Sequence, residues 1–87
     1  MAEHLRRVIR EHRFERELRA LISNAIVADQ FVEAAEFLLA RDSEIGFQII
    51  AGSAVWFLPM APIDDVQVSL YYTFNESTVW LLSIERV

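Results

Sequence analysis

No cysteine and no lysine occur in this chain of 87 residues, and glycine and proline appear only twice each. Without cysteine there is no disulfide, no thiolate zinc cluster and no catalytic thiol. Gly46 and Gly52 are too sparse for a phosphate-cradling loop, and neither a Walker nor a dinucleotide pattern occurs. Long apolar runs are missing too. The longest runs from Ala54 to Ala61 with Pro59 inside it, whereas a membrane-spanning helix needs about 20 residues. The N-terminus is charged and no signal-peptide core follows it. These absences predict a cytoplasmic protein that does not enter a membrane.

What is present is apolar mass. Hydrophobic residues make up 54% of the chain, with six Phe, two Trp and two Tyr, which excludes a disordered segment. The length fits one domain over residues 1–87. A chain of this size buries roughly 60% of its unfolded surface, enough to fold without staples.

Charge is unevenly spread. The net charge is −5, and all eight cations are Arg. Residues 1–19 hold six Arg and four Glu, and the rest holds two Arg and nine acids. Overall acidity disfavours a general nucleic-acid binder. Any basic patch has to come from the N-terminal segment.

The first half has helical periodicity. Phe14, Leu18, Leu21, Ile22 and Ala25 form one stripe, and Val27, Phe31, Ala34, Ala35 and Leu38 form a second. Ser23-Asn24 is the expected break, Asp29 the expected cap of the second helix, and Gly46 the latest point at which that helix ends. Together the two helices make a hairpin. Residues 5–12 stay ambiguous. Leu5, Val8, Ile9 and His12 continue a helix face backwards, while Arg7 to His12 also alternates as a strand.

The second half changes period. Val66, Val68, Leu70, Tyr72 and Phe74 alternate with Gln67, Ser69, Tyr71 and Thr73, the pattern of an antiparallel strand with one buried face. Asn75-Glu76-Ser77 reads as a hairpin break rather than a glycosylation acceptor. In the strand that follows, Val79 and Leu81 occupy one face and Trp80, Leu82 and Ile84 the other. Val55 to Leu58 forms a third strand, and Phe47 to Ala51 pairs with it across a tight turn with Gly52 first. Helices followed by strands predict an α+β domain, its helical hairpin packed on a small antiparallel sheet.

Few residues here carry chemistry. His4 and His12 are eight apart, not the four of a helical metal pair, and no third ligand accompanies them, so neither metal nor cofactor is expected. Asp64-Asp65 follows Pro62 and reads as turn geometry. The N-terminal arginines stand out. On a helix, Arg6, Arg10 and Arg13 would share a face suited to RNA phosphate or an acidic partner, although Glu3–Arg7 and Glu15–Arg19 at four-residue spacing fit a solvated face. Trp56, Phe57, Tyr71, Trp80 and Leu81 are many large side chains for so small a sheet. They point either to a well-filled core or to a partner or self-association.

Two stretches carry a family resemblance. Arg7-Val8-Ile9-Arg10-Glu11-His12-Arg13-Phe14-Glu15-Arg16-Glu17-Leu18 resembles the opening of RelE/ParE-type toxins, where a short strand runs into a helix. Residues 68–87 resemble their closing hairpin, and residues 20–62 match only as a helical hairpin followed by a strand. The resemblance implies an N-terminal strand over residues 7–12, a helical hairpin and an antiparallel meander. It also implies a toxin of a toxin–antitoxin module, with a cognate antitoxin as partner and the ribosome or DNA gyrase as target. In the messenger-RNA-cleaving branch it would give Arg86 and Tyr71 catalytic roles. The sequence departs from that branch, with Gln67 or Ser69 where an Arg is expected, no cation in Val55–Leu58, and no Tyr after Arg86. Metal-free RNA cleavage needs cations on the phosphate, so action through protein–protein contact is the first expectation, with Arg10, Arg13, Trp80 and Arg86 as partner-binding residues. A homo-oligomeric module pairing through an apolar edge strand is the further alternative.

Overall fold

The computed structural model describes residues 5–62 and 65–87. The expectations resting on Glu3, His4 and Asp64 fall outside the described residues. Strand β1 (Arg7–Arg10) leads into α1 (His12–Leu21) and α2 (Ala25–Arg41). Strands β2 (Phe47–Gln48), β3 (Trp56–Pro59), β4 (Val68–Phe74) and β5 (Thr78–Arg86) follow. The strands form one sheet in the order β1-β5-β4-β3-β2. Strands β2 to β5 are an antiparallel meander, and β1 joins β5 in parallel. The sheet is therefore mixed, not purely antiparallel as expected. The helical pair carries the chain from β1 at one edge to β2 at the other, and four alternating strands bring β5 back beside β1 in the same direction.

The ambiguity over residues 5–12 resolves into a strand followed by a helix. Arg7 to Arg10 pairs in register with Thr78 to Leu81, and α1 begins at His12. Arg6, Arg10 and Arg13 consequently share no helix face, because only Arg13 is helical. Arg6 instead donates from Nε to the Asn75 carbonyl at 2.7 Å, beside the β4–β5 turn.

The helices break at Ser23-Asn24 as the polar pair predicts. The cap is Asn24 and not Asp29: Asn24 Oδ1 accepts from the amides of Ile26 and Val27 at 3.0 and 3.1 Å, the geometry that satisfies orphan first-turn donors. This cap sets the rotation of α2. Its buried stripe is Ala28, Val32, Ala35 and Leu39, shifted one residue along from the expected row. Of that row only Ala35 is buried; Val27 and Phe31 pack at the margin, and Ala34 and Leu38 face out. The α2 sequence is apolar on more than one side, so periodicity alone does not select the face.

The core lies between the helices and one sheet face. Phe14 and Leu18 from α1, Ile22 just after it and the α2 stripe meet Leu58, Val68, Leu70, Tyr72, Val79, Leu81 and Ile84. The strict alternation of β4 is realised, with Val68, Leu70 and Tyr72 inside. In β5 it is broken. Tyr71 pairs with Ser83 and Tyr72 with Leu81, leaving Leu82 as an extra residue in a bulge. The bulge resets the parity, so Ile84 joins Val79 and Leu81 in the core instead of sharing a face with Trp80. Between β2 and β3 the turn spans Ile50 to Ser53, closed by the Ser53 amide on the Ile50 carbonyl at 3.0 Å. Gly52 is third in it, not first, with φ +83°, as a turn needing a left-handed third residue requires.

Candidate functional site

Three local arrangements stand out, two within the fold and one on its surface. The first centres on Arg10, at the end of β1. Its Nε and Nη2 donate to the two carboxylate oxygens of Glu36 at 3.1 and 3.0 Å. Its Nη1 reaches Glu15 Oε1 at 3.4 Å and Asp29 Oδ1 at 3.3 Å. One guanidinium thus joins β1, α1 and α2, and the forked contact with Glu36 is the strong geometry for this pair. The hydrogen bonds to Glu36 push the Arg10 pKa further above its ordinary value, against the opposing effect of burial. Beside the network, α1 and α2 leave an open cleft of about 300 Å³ with Leu18, Ile22 and Ala28 in its floor and Glu15 and Asp29 on its lining.

The second arrangement ties the α2–β2 loop to the sheet. The Tyr72 hydroxyl donates to the Ser43 carbonyl at 2.7 Å and accepts from the Gly46 amide at 3.2 Å. Ser43 Oγ in turn donates to the Leu39 carbonyl at 2.7 Å. Burial pushes the Tyr72 phenol up to about 12, with Asp42 and Glu44 adding to the rise and the Gly46 bond opposing it. Gly46 has no room for a side chain: a Cβ there would overlap the Phe57 carbonyl and sit 2.6 Å from the Tyr72 hydroxyl oxygen.

The third is the sheet face turned away from the helices. Cross-strand partners share a face, so Ile9 and Trp80 lie on it together, as do Trp80 and Thr73, Tyr71 and Phe57, and Phe57 and Phe47. Phe47 and Phe57 have ring centroids 5.5 Å apart, and Phe57 and Tyr71 6.3 Å. This aromatic row crosses three strands. Among the described strand residues, the charges of this face are Arg7 and Glu85, one of each sign, placed by their pairing with Thr78 and Ser69.

The expected site residues do not converge. Arg10 is committed to three carboxylates. Arg13 is exposed on α1, with its Nε 3.5 Å from Glu17 Oε2. Trp80 is on the open face and half-buried. Arg86 pairs with Val68 and so takes the helix-side face at the end of β5, whereas Tyr71 belongs to the opposite face. Of the N-terminal charge pairs, Glu15–Arg19 reaches only 4.0 Å. Asp65 has φ +65°, a conformation Asp tolerates in turns. Among the described residues no group of three His, Cys, Asp or Glu is placed to hold a metal, and no helix is long and apolar enough to cross a membrane.

Sequence inspection missed the partners of Arg10, because Glu36 is 26 positions away. It also missed Glu17, whose Oε1 accepts from Ser83 Oγ at 2.8 Å and from the Ile84 amide at 3.4 Å. Glu17 thereby caps the edge of β5 beyond the reach of β1. No family model matches the chain, and no curated protein matches it.

Proposed function

We propose that this chain is a divergent RelE/ParE-type toxin-family protein, the toxin component of a type II toxin–antitoxin module, acting in the cytoplasm through protein–protein contact. The observation that carries this reading is the open sheet face. Ile9, Trp80, Tyr71, Phe57 and Phe47 put a broad apolar and aromatic surface there with balanced charge, the composition of a protein-binding patch and not of a phosphate-binding one. The order strand, helical pair, meander agrees with what the sequence resemblance implies. A cognate antitoxin segment covering this face is the partner the reading calls for.

The messenger-RNA-cleaving alternative draws no support from the geometry. Arg86 and Tyr71 lie on opposite faces of the sheet, and Arg10 is already occupied by carboxylates. The test is tight induction of the chain alone in bacteria, with pulse labelling of protein and DNA synthesis. The reading expects slowed growth without messenger-RNA cleavage, relieved by a partner co-expressed from an adjacent reading frame. Normal growth under strong induction of soluble protein would overturn the toxin assignment. Rapid loss of protein synthesis with cleaved messages would restore the ribonuclease reading.

A further inference from the structure

We draw no further inference here: the strongest candidate, the open cleft between α1 and α2 with Leu18, Ile22 and Ala28 in its floor, carries nothing beyond the Arg10 network already described, because the Glu15 and Asp29 carboxylates on its lining are balanced by Arg10 and Arg19 and nothing there selects a ligand.

Discussion

Tyr72 shows how much of this small fold hangs on single side chains. Its hydroxyl serves the Ser43 carbonyl and the Gly46 amide together. Tyr72→Phe leaves both groups short of a partner in a buried place, and should cost about 1–3 kcal/mol. It should also change the alkaline limb. The phenol ionises near 10.0 when unfolded and near 12 when folded, so below 10 the stabilisation is complete. Between those values the unfolded chain has already released the proton that the folded one retains, and stability falls as pH rises. At 1.36 kcal/mol per pKa unit the loss is on the order of 2–3 kcal/mol. Urea unfolding from neutral pH to above 11 should show a steep decline in the wild type and a shallower one in Tyr72→Phe. Arg10 is the other such residue. Its side chain is 21% exposed, so Arg10→Met should cost about 2 kcal/mol, less than the 3–5 kcal/mol of breaking a fully buried pair. A double-mutant cycle with Glu36→Gln should return a coupling of about 0.5–3 kcal/mol; no coupling would mean that Glu15 and Asp29 do the holding.

Among the elements, legibility followed burial on one face. Val68, Leu70 and Tyr72 are legible as a strand because their neighbours are not in the core, which makes the period of two visible. Strand β1 is not, because adjacent Val8 and Ile9 satisfy either period and the pairing partner lies at the other end of the chain. The α2 stripe was displaced by one residue because Ile26, Phe37 and Leu38 are apolar yet exposed, blurring the face. The β5 bulge left no trace in composition, since one extra residue changes parity without changing residue type. The same parity governs the site: Arg86 and Tyr71 can be placed on a face only once the Tyr72–Leu81 register is known. Deleting Leu82 tests this directly. Without the extra residue, Leu81, Ser83 and Ile84 stay opposite Tyr72, Tyr71 and Leu70 in a regular ladder and Ile84 remains in the core. Inserting one Ala between Ser83 and Ile84 instead turns Ile84 to the open face. The insertion loses a fully buried Ile and should cost about 3 kcal/mol or more, visible as a large drop in the unfolding midpoint, whereas the Leu82 deletion keeps Ile84 in place and should cost distinctly less.

At the scale of the molecule, the two faces of the sheet separate the core from the surface proposed for recognition. The helix-side face holds nearly the whole core, so a substitution there reports on folding. The open face is lined by Ile9, Trp80, Tyr71, Phe57 and Phe47 without a cation cluster among the described residues, so under the proposed function a substitution there reports on binding. Trp80 and Arg86 separate the protein-contact reading from the ribonuclease reading because they stand on opposite faces. Trp80→Glu puts a carboxylate in the middle of the apolar patch, where partner association would have to desolvate it. It should weaken antitoxin capture and any growth effect at least tenfold while leaving the helical circular dichroism intact. Arg86→Ala removes an exposed charge at the end of β5, worth at most about 1 kcal/mol if it pairs with a partner. Capture and growth phenotype should therefore stay close to wild type. The opposite pattern, with Arg86→Ala abolishing the growth effect and Trp80→Glu sparing it, would mean that phosphate chemistry at the strand end, and not contact on the open face, is what the molecule does.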